Sequence, residues 1–240
     1  TYMDVLERRF GPSNGLEDFE RKAQMMEYES YRAIFEGMNA GLWTENSGRM
    51  LWMTQPAWPS SAWQIFSSDY DTHAAFYGVK KAAEPIHVQM NLPDHRVVLV
   101  NNTRDALKGV QVRAKIVGLD GRSEGEQEAK LVANGEGVTP VFTLDLANAM
   151  KRGAVLVRLE ATDAGGQLLS TNSYWQAQDD AGYRALTAMA PAAVTATATT
   201  QTQGDETLAS VTLTNGGTVP AIETKLTAVS YTHLTLPTKA

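Results

Sequence analysis

The hydrophobic periodicity of this chain changes at Pro85, and this change most limits the folds that the chain can adopt. Before Pro85 the apolar residues recur at helical spacing, most clearly over residues 16–40. From Ile86 onward apolar and polar residues alternate, as in residues 110–116 (VQVRAKI), which is the pattern of a half-buried β-strand. The sequence therefore predicts a multidomain chain in which an α/β part, residues 1–84, precedes an all-β part.

Residues 16–40 are predicted to form one long helix. Asn14 and, three residues later, Glu17 resemble a capping box at its start, and Gly41 is a natural helix stop. The charged side chains of this segment are expected to form a solvated face with i,i+4 pairs and no catalytic role. The apolar stripe expected to face a core consists of Leu16, Phe19, Ala23, Met26, Ser30, Ala33, Ile34 and Gly37.

A second, shorter helix is predicted through residues 74–83. Asp71 or Thr72 is the expected cap of its first turn, and Pro85 ends it because proline lacks the backbone N–H that a helix needs. The α/β part of the chain therefore ends near Glu84.

A short apolar run at residues 50–53 (MLWM) opens into a proline-flanked loop that is rich in tryptophan. The run predicts a buried strand of a parallel sheet, and ligands bind α/β proteins where such strands end. Trp52, Trp58 and Trp63 fall at or after this point, and a flat indole with one N–H donor suits stacking on a sugar ring. The alternative interpretation is that these tryptophans fill a core or an interface.

The alternation after Ile86 predicts roughly six to eight short strands. Tight-turn sequences separate them, GLDG at residues 118–121 and DAGG at residues 163–166. Strands and turns at this spacing favour an immunoglobulin-like β-sandwich over residues 86–176. The chain contains no cysteine, so apolar packing alone must hold the sandwich together.

The remaining chain is predicted to contain a linker and a second, incomplete sandwich. Residues 177–190 form the linker, with a helical turn at 181–189, and alternation resumes over residues 191–228. A weak internal repeat relates this last segment to the first sandwich, so it is predicted to be a truncated second immunoglobulin-like sandwich. Residues 229–240 contain VSYTHLTLPT, which resembles a translated sequencing adapter and is excluded from the fold reasoning; the alternative is a genuine strand.

Composition argues against several classes of partner and cofactor. A net charge of −6 without a lysine or arginine cluster disfavours nucleic acid, and no apolar run reaches the roughly 18–20 residues that span a bilayer. Without cysteine there is no thiolate metal site, and no metal or other cofactor is predicted. Four histidines lie in separate segments without metal-ligand spacing and are expected to be surface or packing residues: His73, His87, His95 and His233.

Several short motifs of the first hundred residues together resemble one enzyme family. They are residues 9–11 (RFG), 21–24 (RKAQ), 28–36 (YESYRAIFE), 52–53 (WM), 57–60 (AWPS), 63–64 (WQ) and 77–89 (YGVKKAAEPIHVQ). This combination resembles the glycoside hydrolase family 2 enzymes of the exo-β-D-glucosaminidase and plant-type endo-β-mannosidase branch. The resemblance runs from about residue 8 to 102, and more loosely to residue 228.

The resemblance implies that residues 1–84 are the C-terminal part of a (β/α)8 barrel, comprising its helix 7, strand 8 and helix 8. Enzymes of this kind retain anomeric configuration with two glutamates, and both would precede Thr1, so no catalytic residue is expected in this chain. Trp52 resembles the platform under the reacting sugar, while Gln55 would supply a polar contact and Trp58 an outer wall. The resemblance also implies a β-linked oligosaccharide as substrate and a secreted or periplasmic location.

The favoured prediction is therefore the C-terminal portion of a retaining, exo-acting β-glycosidase that is inactive as a fragment. Glu45, Asp69 and Asp71 are interpreted as structural or solvated carboxylates. One alternative is a non-catalytic carbohydrate-binding or structural β-sandwich module, and another is a helical or adhesive interaction protein. The sequence makes no prediction of oligomeric state.

Overall fold

The computed structural model describes residues 1–59 and 64–226, and the chain divides into two compact units, residues 1–190 and 191–240. The first unit begins with three helices, α1 (Tyr2–Phe10), α2 (Leu16–Ala40) and α3 (Ala74–Ala82). Within the described ranges, no helix has the length and apolar character needed to cross a bilayer.

Seven antiparallel strands in two sheets follow the helices. In chain order they are β1 (Ile86–Met90), β2 (Arg96–Asn101), β3 (Leu107–Gly118), β4 (Ser123–Ala133), β5 (Gly137–Thr143), β6 (Val155–Thr162) and β7 (Leu168–Gln176), with a short helix α4 (Ala147–Met150) before β6. One sheet has the order β1-β2-β5 and the other has the order β4-β3-β6-β7.

The two sheets share one apolar core. Val88 and Leu99 of the first sheet join Val112 and Val157 of the second in a single cluster of fully buried side chains. The alternation along β3 places every second residue in this core, as the period of two requires. The result is the two-layered β-sandwich that the sequence pattern predicts.

The face that α2 buries is largely polar and differs from the predicted apolar stripe. Leu16 is 79% exposed and Ile34 is 57% exposed, so the prediction is wrong for both. The buried positions are instead Lys22, Met25, Met26, Glu29, Arg32, Phe35, Glu36 and Asn39. Charges are tolerated on this face because they have partners there; Lys22 Nζ, for example, lies 2.7 Å from an Asp18 carboxylate oxygen and donates to Pro12 O at 2.9 Å.

The start of α2 also differs from the prediction. Its N-cap is Gly15, with φ 86° and no side-chain hydrogen bond, so the predicted capping box of Asn14 and Glu17 is wrong. The carboxylate of Asp18 instead reaches back and accepts the Asn14 N–H at 3.0 Å. An acid in the first turn suits the positive end of the helix dipole. The predicted stop is confirmed, since α2 ends at Gly41.

The start of α3 depends on α2 and not on a local cap. The N-cap is His73, without a side-chain hydrogen bond, so neither Asp71 nor Thr72 has the predicted capping role. The free N–H of Ala74 is instead accepted by Gln24 Oε1 of α2 at 2.6 Å. A neighbouring helix thus satisfies one of the donors that every helix start leaves open.

The apolar run at residues 50–53 forms no strand, so the predicted buried strand is wrong for this chain. Met50 is 98% exposed, and Met53 has φ 63°, which breaks an extended conformation. An apolar run becomes a strand only where other strands accept its backbone hydrogen bonds. In the described part of the chain, every named strand lies at or after Ile86, so the run has no sheet to join and the barrel is not visible here.

The linker and the second unit follow the predicted pattern locally. A 3-10 turn at Asp180–Tyr183 and the short helix α5 (Arg184–Thr187) match the helical turn predicted at residues 181–189. The second unit contains a hairpin of β8 (Val194–Gln203) and β9 (Glu206–Asn215). The predicted adapter-derived tail, residues 229–240, lies outside the described residues.

Helices α2 and α3 pack so closely that a methyl group at Gly78 has no space. A Cβ atom built there lies 2.5 Å from Tyr28 O and 3.1 Å from Arg32 N, both backbone atoms of α2. We therefore expect Gly78→Ala to lower the free energy of unfolding by about 1–3 kcal/mol, measured by urea denaturation with circular dichroism. The matched control is Gly37→Ala in α2, where no atom lies within 4 Å; it should stabilise the chain by up to about 1 kcal/mol. Equal effects at the two positions would contradict the close approach.

Candidate functional site

The three predicted site residues lie on one irregular segment between α2 and α3, which we call the tryptophan loop (residues 50–59). Trp52 is 78% exposed and Trp58 is 71% exposed, while Gln55 between them is half-buried. Both indoles are therefore open to solvent and available to a ligand, and neither fills a core. Trp63 lies outside the described residues.

The N-terminal end of the tryptophan loop is anchored by Arg49. Its guanidinium donates to Ala82 O at 3.0 Å and to Asn39 Oδ1, and its Cζ lies 5.1 Å from the centroid of the Phe35 ring. These contacts join the loop to the ends of α2 and α3. Burial lowers the pKa of Arg49, yet arginine stays charged across the physiological range.

The middle of the tryptophan loop is anchored by backbone hydrogen bonds. Thr54 O accepts the N–H groups of Ile65 at 3.1 Å and of Phe66 at 3.0 Å. The ring of Phe66 packs on Phe76 of α3, with centroids 5.1 Å apart. The loop is therefore held at its start and at Thr54, on either side of the exposed Trp52.

The carboxylates near the loop are engaged in local turns. Asp69 accepts hydrogen bonds from the Ser67 hydroxyl and the Asp71 N–H, and these hold the pKa of Asp69 below its usual range. An acid that stays ionised is unsuited to protonating a leaving group. Asp71 accepts the Thr72 N–H at 2.9 Å. Over residues 1–59 and 64–226, no three histidine, aspartate or glutamate side chains gather as ligands for a metal ion.

A second set of functional groups, which the sequence reasoning missed, is buried between α2 and the sandwich. We call it the interface network, and its centre is Glu36 of α2. Its other members are Arg32, Glu84, His87, Ser170, Asn172 and Tyr174. Glu36 Oε1 accepts from His87 Nε2 at 3.0 Å, from Tyr174 Oη at 2.9 Å and from Asn172 Nδ2 at 2.7 Å. Three donors thus surround one oxygen of a carboxylate that is almost entirely buried.

His87 is held between two carboxylates. Its Nδ1 lies 3.2 Å from Glu84 Oε2 and its Nε2 lies 3.0 Å from Glu36 Oε1. Because ionised carboxylates only accept hydrogen bonds, this position favours the imidazolium, in which both ring nitrogens donate. Burial opposes this charge, but the hydrogen bonds to Glu36 and Glu84 outweigh it and raise the pKa of His87.

Arg32 supplies a second buried cation to the same network. Its guanidinium donates to Ser173 O and to Asn172 Oδ1, the latter at 3.4 Å, and its Cζ lies 4.2 Å from the centroid of the Tyr174 ring. The side chain is 1% exposed, so these contacts with protein groups are the ones that stabilise its charge. Burial and the nearby Glu36 charge raise the pKa of Tyr174 well above its ordinary value, which keeps its hydroxyl a donor.

The interface network also closes the free edge of β1. Ser170 and Tyr174 hydroxyls accept the N–H groups of Val88 at 3.2 Å and of Met90 at 3.0 Å, and Asn172 Nδ2 donates to Val88 O at 3.0 Å. Alternate side chains of β7 thus replace the strand that the edge lacks. A polar alternation such as Ser170, Asn172 and Tyr174 has the same pattern as a solvated strand face, so this role could not be predicted from the sequence.

Comparison with known proteins shows what this arrangement is similar to. Residues 94–178 match the family model of the Mannosidase Ig/CBM-like domain, and residues 172–236 match that of the Exo-beta-D-glucosaminidase Ig-fold domain. The exo-beta-D-glucosaminidase of Streptomyces avermitilis is 35% identical over 179 residues, which are 72% of this chain and 20% of that protein. The mannosylglycoprotein endo-beta-mannosidase of Lilium longiflorum is 33% identical over 170 residues, 69% of this chain and 18% of that protein. The chain is a homologue of these glycosidases.

The solved structures extend this relationship to glycosidases of known fold. A variant of the Amycolatopsis orientalis exo-chitosanase CsxA, in complex with PNP-beta-D-glucosamine, superposes with a TM-score of 0.83 at 32% identity, covering 91% of this chain and 29% of that chain. The resemblance seen in the motifs and the prediction of immunoglobulin-like domains are thereby confirmed. This glycosidase homologue spans about a fifth of the length of the curated relatives that it matches.

The protonated state of His87 makes the stability of the first unit depend on pH. Because the pKa of His87 is raised in the folded chain, its stabilising contribution is complete below about pH 6.5, the usual histidine pKa, and is lost as pH rises through the folded value. The loss amounts to about 1.4 kcal/mol for each unit by which the pKa is raised. Urea unfolding, followed by tryptophan fluorescence over a pH series, measures it.

In the same series, the His87→Gln variant should lack this part of the pH dependence. The control is His95→Asn, since His95 has φ 55° and asparagine tolerates this conformation. It should keep the wild-type profile. Identical profiles for wild type and His87→Gln would contradict an imidazolium in the interface network.

Proposed function

We propose that this chain is the C-terminal part of a retaining, exo-acting β-glycosidase that hydrolyses β-linked glucosaminides or mannosides. The observation that carries the proposal is the match, over 91% of the chain at 32% identity, to an exo-chitosanase whose complex contains PNP-beta-D-glucosamine. Relatives named for glucosaminidase and mannosidase activities are the reason for proposing these two sugars. The proposal includes a β-linked oligosaccharide as substrate and a secreted or periplasmic location.

In this proposal α2 and α3 are the last two helices of a (β/α)8 barrel, and the tryptophan loop lies at its rim. The match covers 91% of the chain and leaves less than a tenth of it unmatched. The matched part therefore includes most of residues 1–85, which contain the three helices, as well as the sandwich. The exposed Leu16 and Ile34 on α2 also support a further packing partner for this helix. In a barrel enzyme that partner is the neighbouring barrel wall.

The chemistry of retention requires two carboxyl groups about 5–5.5 Å apart, one as nucleophile and one as acid and base. Three carboxylates near the tryptophan loop or the sandwich do not suit these roles. Asp69 and Asp71 are tied into a turn, and Glu36 is enclosed by the interface network. We therefore assign both catalytic glutamates to another part of the enzyme and assign substrate binding to this chain.

The tryptophan loop provides the groups that such binding needs. An exposed indole loses little on desolvation and gains contact area when a sugar ring stacks on its face. Trp52 is proposed as the platform under the reacting sugar and Trp58 as the outer wall. Gln55 carries both a donor and an acceptor, which suits a sugar hydroxyl.

The alternative of a carbohydrate-binding sandwich has less support. Sugar binding on a sandwich needs exposed aromatic rings, and residues 86–176 contain only Phe142, Tyr174 and Trp175. Tyr174 and Trp175 are buried, and Phe142 is partly buried against the core. The sandwich is therefore better suited to supporting the helical part than to binding a sugar by itself.

The function can be tested on the enzyme encoded by the whole reading frame that contains this chain. We expect turnover of an aryl β-glucosaminide or β-mannoside, and we expect Trp52→Ala to lower kcat/KM about tenfold or more, because about 1.4 kcal/mol of stacking is tenfold. The matched control is Trp43→Ala, since Trp43 is partly exposed but lies before the tryptophan loop.

Two outcomes would count against the proposal. Failure of the whole enzyme to hydrolyse either glycoside would overturn the assigned activity. An unchanged kcat/KM in Trp52→Ala, in an otherwise active enzyme, would remove Trp52 from the substrate site while leaving the activity in place.

A further inference from the structure

Two fully buried amide side chains connect the sandwich to the helical part. Gln89 lies on β1 and Asn39 lies in the last turn of α2, and Asn39 Nδ2 donates to Gln89 Oε1 at 3.0 Å. Gln89 Nε2 uses its two hydrogens on Glu36 O and Asn91 Oδ1, both at 2.9 Å. Every polar atom of the Gln89 side chain is thus satisfied, which fixes its rotamer.

The same connection continues to the base of the tryptophan loop. Asn39 Oδ1 accepts from the guanidinium of Arg49, and both side chains also donate to Ala82 O, each at 3.0 Å. Gln89, Asn39 and Arg49 therefore form a continuous chain of hydrogen bonds, which we call the amide relay. It begins on a strand of the sandwich and ends one residue before the tryptophan loop.

An apolar contact runs parallel to the amide relay. Leu42, just after α2, is buried against Val98 and Val100 of β2, with Val138 of β5 beside them. The three-stranded sheet therefore holds the segment that leads from α2 into the tryptophan loop, by a polar and an apolar contact. Met50, the first residue of the loop, is exposed, so the loop has no packing of its own at its N-terminal end.

We propose that Gln89 is a positioning residue for the tryptophan loop, acting through Asn39 and Arg49, so that the immunoglobulin-like sandwich sets the geometry of the sugar platform. The consequence for sugar binding rests on the proposed function; the ordering of the loop does not. Trp52 is only three residues from Arg49, so a displacement of Arg49 also displaces the indole of Trp52. Binding constellations tolerate errors of only about 0.5 Å, so the position of the anchor controls the site.

Amide hydrogen exchange on this chain tests the ordering directly. The amides of residues 42–46 bond to Asn39 O, Gly41 O and Asn46 O, so their exchange reports the state of the turn between α2 and the tryptophan loop. In Gln89→Met we expect these amides, and those of Ile65 and Phe66, to exchange about tenfold faster or more, because local opening becomes easier.

The matched control for this experiment is Gln176→Met. Gln176 is also a buried glutamine in a strand, but its amide donates to Trp175 O and has no contact with the relay. The control should leave exchange at residues 42–46 unchanged. Equal exchange in the two variants, whether fast or slow, would overturn the positioning role of Gln89.

Arg49→Met tests the relay from the loop side, and it also decides the matter if Gln89→Met does not fold. Because Arg49, Asn39 and Gln89 form one chain of hydrogen bonds, loss of Arg49 is expected to change the side-chain amide resonances of both Asn39 and Gln89 in an NMR spectrum. A changed Asn39 signal with an unchanged Gln89 signal would show that the relay stops at α2, and this would overturn the proposal.

Kinetics on the whole enzyme extend the test to the sugar. Gln89→Met is expected to raise KM for an aryl β-glycoside about tenfold with a smaller change in kcat, because it disturbs the platform and leaves the catalytic carboxylates alone. Gln176→Met should leave both constants unchanged, and equal KM values in the two variants would overturn the link to the platform. If the whole enzyme hydrolyses no glycoside, the proposed function fails, whereas the exchange and NMR results still decide whether Gln89 orders the loop.

Discussion

The buried carboxylate of Glu36 is the constraint on which the rest of the first unit depends. An ionised carboxylate removed from water costs several kcal/mol unless donors replace its hydration, and here they come from β1 and β7. A helix displaced from the sandwich would leave this charge unpaired in an apolar setting. A purely apolar contact permits sliding, because dispersion has little direction, but several hydrogen bonds to one oxygen permit one placement. The interface network therefore fixes how α2 lies on the sheet.

The strand β1 can serve this purpose because it has no solvent face. Val88 and Met90 point into the core of the sandwich, while His87 and Gln89 alternate with them and contact α2. Its free edge is closed by side chains of β7, some of which also bind Glu36. One short strand thus joins the core, the interface network and the amide relay. This arrangement explains why the polar residues of β1 are as buried as its apolar ones.

The sequence predicts those parts of the fold in which burial is decided locally. The strands of the sandwich were predictable because β3 has one face on the core and the other towards solvent, so its alternation is visible in the sequence. The buried face of α2 was not predictable, because Arg32 donates a hydrogen bond to Asn172, which is 140 positions away in the sequence. Only the folded chain reveals that partner. The strand predicted at residues 50–53 was wrong for a related reason. The composition of the run suits a strand, but a strand forms only beside other strands that accept its backbone hydrogen bonds. Prolines and tryptophans marked the loop of Trp52, Gln55 and Trp58, yet nothing in the sequence indicated its anchors.

The amide relay shows why a sandwich domain suits a position beside the tryptophan loop. A loop that presents exposed aromatic rings gains no order from packing, since the same rings must stay free for the ligand. Its order must therefore come from its ends, and a helix terminus alone frays. Contact with a strand that pairs with β2 on one side and meets side chains of β7 on the other supplies a rigid support, and the amides of Asn39 and Gln89 add direction to it. In the proposed function, the immunoglobulin-like sandwich therefore contributes to substrate binding without touching the substrate.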